Sequence, residues 1–218
     1  MLVAIDGPAG SGKSSVARAV AEKLGVVDLN TGAAYRAVAL VALREGVDLE
    51  DGAALAEISR RVGLDGAGAR VDDAPVPEEE LRAPEVSAAA STVSARPEVR
   101  AVLLGVQREA AESAREEGGA VVEGRDIGTV VLPDAELKIY LSATPEARAR
   151  RRAYQTGREA ELDRVHEAMK KRDRQDAERA TSPLKPAPGA VVLDTTALSL
   201  EEVVSRVLDL ARSLRKGA

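Results

Sequence analysis

The sequence has no cysteine, no phenylalanine, no tryptophan and one histidine, His166. Without thiols there are no disulfides and no thiolate metal sites, as suits a reducing compartment. A single imidazole builds neither a histidine metal centre nor a Ser-His-Asp triad, and His166 is expected on a helix surface. Three tyrosines are the whole aromatic content of 218 residues, so the core must be packed with Val, Leu, Ile and Ala. No apolar run reaches the roughly 18 residues of a membrane span. The first residues read as a strand and not as a signal peptide. A net charge of −5 weighs against a nucleic-acid partner, which calls for a basic surface. The expected setting is cytoplasmic, with no membrane and no nucleic acid. A 44% hydrophobic content suffices for one α/β core with one or two inserts.

Leu2–Asp6 is a buried strand by its unbroken apolar run. Lys13–Leu24 has helical spacing at Val16, Ala17, Val20, Ala21 and Leu24, with Gly25 as its C-terminal cap. Thr31–Arg44 predicts a second helix and Gly52–Val62 a third. The stretch 63–84, with Gly, Pro and short β-like pieces, reads as a small inserted excursion outside the core. Helical patterns return over Glu85–Val93 and Glu98–Glu117. Ala120–Glu123, Leu137–Leu141 and Ala190–Leu193 read as strands. Thr144-Pro145-Glu146 opens a helix, and Ser199 with Glu202 forms a capping box before the last one. Strands alternating with helices predict a parallel sheet flanked by helices.

Between the first strand and first helix lies Gly7-Pro8-Ala9-Gly10-Ser11-Gly12-Lys13-Ser14, followed by Ser15. It matches G-x-x-x-x-G-K-[ST] in the context that motif requires. Glycines let backbone N–H groups turn inward on an anion, and the helix dipole adds positive potential there. Lys13 would reach the β- and γ-phosphates of a nucleoside triphosphate, and the Ser14 hydroxyl would take part in a Mg²⁺ shell. The sequence holds no N-K-x-D base-reading motif of a GTPase. The strand ending at Glu123 runs into Gly-Arg-Asp, not the Asp-Glu of a motor ATPase.

Four other stretches have two readings each. Asn30-Thr31-Gly32-Ala33-Ala34-Tyr35-Arg36 could hold a sugar phosphate, or be a helix cap with a solvated arginine. Ser91 and Arg100 are by themselves ordinary surface residues. Glu123-Gly124-Arg125-Asp126-Ile127-Gly128-Thr129 ends a buried strand at the edge where α/β sheets bind ligands, or is a turn. Arg172-Asp173-x-x-Asp176-x-x-Arg179 could equally be a salt-bridged solvated helix face.

Together, GPAGSGKS, NTGAAYR, EGRDIGTVV, RDRQDAER and VVLDTT, in this order and spacing, resemble the bacterial cytidylate kinases, a nucleoside monophosphate kinase family, over nearly the whole chain. The resemblance implies a P-loop NTPase fold with an inserted monophosphate-binding domain and a short lid. It implies core segments 1–30, 95–147 and 178–218, a monophosphate-binding domain 31–94 enlarged by the 63–84 insert, and a lid with adjoining helix over 148–177. Arg36, Arg125 and Arg179 would grip the acceptor phosphate. Thr31 belongs to the same acceptor site, while Tyr35, Asp176 and Arg172 would address the ribose. Ser91, Arg100 and Asp126 would read the cytosine edge. Cytosine offers an amino donor and an N3 acceptor, so mispairing with uracil should cost about 1–3 kcal/mol per unsatisfied group. Asn30, where the family often has Asp, and Ala34, where a larger apolar residue is common, depart from the pattern.

The reaction implied is direct phosphoryl transfer from ATP to CMP or dCMP with Mg²⁺, by a monomer and without a phosphoenzyme. Lys13, Arg125, Arg179 and a lid arginine, Arg151 foremost, would stabilise the moving charge. Arg148, Arg150, Arg151, Arg152 and Arg158 would belong to the lid, or form a solvated basic helix. Three alternatives stand beside this reading: a kinase for UMP or another small acceptor, a binding module switched by ATP, and a nucleic-acid protein using the arginine-rich stretch.

Overall fold

The computed structural model describes residues 1–179 and 182–217, with side chains up to Leu214. Positions 180, 181 and 218 of the expected 178–218 core segment lie outside the described residues. The chain divides into two units, Met1–Val26 with Val121–Ala218, and Val27–Ala120.

The first unit is built on β1 (Leu2–Asp6), which is buried at every position and so must be covered on both faces. It lies between β6 (Ala120–Gly124) and β7 (Leu137–Ser142), with β8 (Val191–Asp194) beyond β7. The pairings of β1 with β7 and of β7 with β8 are parallel, with Ile5 opposite Ile139 and Leu141 opposite Leu193. α1 (Lys13–Leu24) and α9 (Leu200–Gly217) pack together over this sheet. Their stripes, Val16 and Val20 from one and Val203, Val204 and Val207 from the other, join Val3, Ile5, Val121 and Ile139 in one core. Each such side chain contributes roughly 1.5–3 kcal/mol when fully buried. α1 ends where Gly25 turns left-handed, at φ +65°. α9 starts at a reciprocal capping box: Ser199 N–H donates to Glu202 Oε2 at 2.8 Å, and Glu202 N–H to Ser199 Oγ at 3.2 Å.

α7 (Pro145–Gln155), capped by Thr144, and α8 (Leu162–Glu178) complete this unit. They pack through Ala149, Ala153, Val165 and Met169. His166, expected on a surface, is half-buried on α8 with its Nε2 enclosed.

The second unit holds β2 (Val27–Asn30), α2 (Thr31–Glu45), α3 (Gly52–Ser59), β3 (Val62–Asp65), β4 (Gly68–Val71), β5 (Ala74–Pro75), α4 (Glu78–Leu81), α5 (Pro84–Val93) and α6 (Pro97–Glu116). α2 is its centre, packed against α3, α5, α6, β3 and β4. A run of alanines (33, 34, 37, 39 and 42) lets these neighbours approach closely. The single helix expected over Gly52–Val62 stops at Ser59, because Arg61 N–H closes the last turn onto Ile58 and Val62 opens β3. The 63–84 stretch is not an excursion outside the core. It folds as an antiparallel three-stranded sheet plus α4, and Leu64, Ala69 and Leu81 are buried. The hairpin between β4 and β5 turns at Asp72 and Asp73, both at positive φ (50° and 64°), the backbone of a tight two-residue loop. Among the described residues no helix is long and apolar enough to cross a membrane.

Candidate active site

The C-terminal ends of β1, β6, β7 and β8 deliver the chemistry of the first unit. Leaving β1, the chain passes so close to β7 that a Cβ on Gly7 would sit 2.2 Å from the Leu141 carbonyl oxygen. At Gly10, with φ +73°, a Cβ would meet the Arg148 carbonyl oxygen at 2.7 Å. Side chains are excluded at both points, and the loop backbone takes the space. No side chain caps the first turn of α1, so its leading N–H groups remain at the positive end of the helix dipole. The buried Ser11 hydroxyl has no hydrogen-bond partner, Ser14 is half-buried, and Ser15 is exposed.

Lys13 folds back over the loop, its Nζ donating to the Pro8 carbonyl at 2.9 Å. Burial lowers its pKa to about 7, and Arg125 and Arg172 push the same way against Glu123 and Asp6. Arg125, on the turn after β6, donates from Nη1 to the Gly7 carbonyl at 3.1 Å. Its Nε lies 3.3 Å from Asp176 Oδ2, while Arg179 Nη2 lies 2.6 Å from Asp176 Oδ1. Asp176 is 6% exposed. This part of α8 is therefore a buried arginine–carboxylate array and not a solvated face. Asp126 and Glu123, adjoining Arg125 in the chain at the end of β6, are also buried, at 6% and 4% exposure.

Asp6 and Thr195, which have no role in the sequence reading, and Arg148, expected only as part of the lid, hold this arrangement. Asp6 accepts from the N–H groups of Ile127 and Gly128, both at 2.8 Å. Burial raises its pKa to about 6, against the pull of those two amides. Buried Arg148 joins α7 to the loop, donating to the Ala9 carbonyl at 3.0 Å and the Ala143 carbonyl at 3.1 Å and pairing with Asp173 at 2.7 Å. Thr195, after β8, is 2% exposed. Its hydroxyl accepts from Arg151 Nη1 at 2.9 Å and lies within bonding distance of the Ser11 and Ser142 carbonyls, at 3.3 and 3.1 Å. Arg151, expected on the transferring phosphate, is thus engaged with the loop after β8. Arg150 and Arg158 are exposed, the latter paired with Glu161.

In the second unit, Thr31 is buried at the first position of α2 and Arg36 Nη2 lies 3.4 Å from Asn30 Oδ1. The Arg100 guanidinium stands 5.6 Å from the centroid of the Tyr35 ring and donates to the Ser94 carbonyl at 3.2 Å. Ser91 is half-buried on α5, one turn before Ser94. Tyr35 and Arg100, 65 positions apart, therefore meet. Among the described residues no three His, Cys, Asp or Glu side chains are grouped to hold a metal ion.

The family model for cytidylate kinase matches residues 3–213. The chain belongs to the cytidylate kinase family. A cytidylate kinase of Caldanaerobacter subterraneus is 47% identical over 220 residues, covering 99% of this chain and 96% of that one. Another, from Rhodococcus jostii, is 47% identical over 226 residues, covering 100% and 97%. A crystal structure of an uncharacterized protein from Eubacterium ventriosum shares the fold at TM-score 0.57, with 12% identity over 98% of this chain and 99% of that one. As a member of the cytidylate kinase family the chain is a nucleoside monophosphate kinase, and its phosphate loop is that of a P-loop NTPase fold.

Proposed function

We propose that the protein transfers the γ-phosphoryl group of ATP directly to the phosphate of CMP or dCMP. The observation that carries this reading is the convergence of two cations on the phosphate loop, Lys13 on the Pro8 carbonyl and Arg125 on the Gly7 carbonyl. Cations held this close are costly alone, and the phosphates of donor and acceptor would offset the repulsion. Phosphoryl transfer is chiefly positioning and charge neutralisation, so this chain needs no protein nucleophile.

In this reading Gly7–Ser15 bind the triphosphate through backbone N–H groups, and Lys13 turns from Pro8 to the β- and γ-oxygens. Arg125 and Arg179 take the acceptor phosphate with Arg36. Asp176, which pairs both of the first two, sets their spacing. Tyr35, Asp176 and Arg172 address the ribose, with Thr31 in the same site. Ser91, Arg100 and Asp126 read cytosine. The Arg100–Tyr35 contact supports a role for that pair in holding a base edge. Segments 1–30, 95–147 and 178–218 serve as the core, 31–94 as the monophosphate-binding domain with its 63–84 insert, and 148–177 as the lid. Arg151 belongs to that lid, and in the charged state it would exchange Thr195 for phosphate.

The Ser14 hydroxyl and the Asp6 and Glu123 carboxylates near Lys13 are oxygen donors of the kind that suits Mg²⁺, and the sequence has no thiol for a thiophilic ion. When bound, Mg²⁺ neutralises the β- and γ-phosphates. We further take the protein as a cytoplasmic monomer with no nucleic-acid or membrane partner.

The test is ADP production from ATP and Mg²⁺ with CMP, dCMP, UMP, AMP or shikimate as acceptor, repeated with Asp126→Ala. Turnover with CMP and dCMP alone, weakened or broadened in the variant, is expected. Equal turnover of UMP would keep the kinase and refute the cytosine assignment. ADP formation that no acceptor stimulates would refute the transferase reading.

A further inference from the structure

The turn that carries Arg125 and Asp126 continues as a π-helical turn over Ile127–Val131. Such turns are rare and leave their leading amides without partners inside the helix. The residue placed to cap them is Asp126, at the N-cap position, and aspartate is among the best caps available. Yet the Asp126 side chain makes no capping bond. The amides of Ile127 and Gly128 are taken instead by the two oxygens of Asp6, more than a hundred positions away on β1 and 3% exposed. A buried carboxylate is expensive to keep charged, and it is retained here where a neutral strand residue would be less costly. Arg125 adds a second tie from the same turn, to the carbonyl of Gly7, the residue next to Asp6.

We propose that Asp6 is a positioning residue: it caps the turn from outside, so that Asp126 keeps its own carboxylate off the backbone amides and Arg125 is fixed in register with the phosphate loop. The capping stands on geometry alone. Its consequence for an acceptor rests on the function proposed above.

Both parts can be read separately with Asp6→Asn, which keeps the shape but sets an NH₂ group against one of the two amides. Hydrogen exchange of Ile127 and Gly128 is expected to speed up by about 30-fold or more in the variant, with β1 and β7 amides nearly unchanged. In kinetics the KM for CMP is expected to rise about tenfold and the preference for CMP over UMP to fall, while the KM for ATP moves less than about threefold. A purely structural role would lower kcat for both acceptors alike and leave their ratio intact. If the wild type accepts no CMP, the functional reading fails, and the exchange data alone decide the capping. If the variant does not fold, the wild type serves. Its Ile127 and Gly128 amide protons should shift together with the Asp6 carboxyl carbon as acid is added, against the nearby Lys13, Asp126 and Tyr140. Amides that ignore that titration, or unchanged exchange in the variant, overturn the proposal.

Discussion

Burial disfavours the charged form of both Lys13 and Asp6, with opposite consequences for stability against pH. The folded protein lets the Lys13 proton go at about 7, the unfolded chain near 10.5. The charged amine therefore costs most stability below pH 7, and the cost shrinks as pH rises towards 10.5. Replacement by Met, Lys13→Met, is expected to cut phosphoryl transfer by about 10²–10³-fold and yet raise the thermal midpoint of the ligand-free protein. That gain should be larger at pH 6 than at pH 9, as thermal scans at the two values would show. Asp6 is the mirror case. It holds its proton to about 6 when folded but only to 3.8 when unfolded. Its contribution to stability is then full below about pH 4 and lost as pH climbs through 6, a swing of roughly 3 kcal/mol. Urea titrations from pH 4 to 7 should show that decline in the wild type, and a flatter curve for Asp6→Asn. At this scale the loop was legible in sequence because its chemistry sits in consecutive residues. Asp6 was one residue away and illegible as a cap, since its partners are backbone amides of a distant turn.

At the scale of elements, α7 is joined to the phosphate loop by side chains that read in sequence as a basic helix. Arg148 is the central one, with a side chain 7% exposed against a partner carboxylate at 24%. Arg148→Met should leave Asp173 without its cation and Ala9 without its donor, a loss of about 3–5 kcal/mol in chemical unfolding. Adding Asp173→Asn should recover part of it, because the uncompensated carboxylate is then gone. Losses that simply add would mean the pair is not coupled. The arginine cluster was visible in sequence, but not which member faces the loop, as helical spacing gives a face only once the packing partner is known. Periodicity marked the longer helices well. It missed β2, four residues between two helices, and ran α3 into β3 because Arg60 and Arg61 carry no breaker signal. Short β-like pieces were visible in 63–84, but not their pairing into a sheet or their burial: two to four residues each are too short to show alternation, and their buried positions are scattered.

For the whole molecule, the acidic balance and the cationic site are complementary facts. A chain with net charge −5 concentrates arginine and lysine where β1, β6 and α8 converge, and engages much of that charge with its own acids and carbonyls. A compact polyanion such as a nucleoside triphosphate is the ligand that the function proposed above assigns to this concentration of charge. ATP with Mg²⁺ should act as a folding ligand of this arrangement. At about 100 times its Kd, a ligand selective for the folded state adds roughly 2.7 kcal/mol. For a chain of this length each kcal/mol moves the midpoint by about 2–4 °C, so a rise of roughly 5–11 °C is expected. Lys13→Met should show little of it, although its ligand-free midpoint starts higher at pH 6, and the two proteins' midpoints would therefore converge or cross as ATP is added. Equal shifts in both would mean that the loop binds nucleotide without its lysine. No shift in either would detach the crowded cations from triphosphate binding altogether.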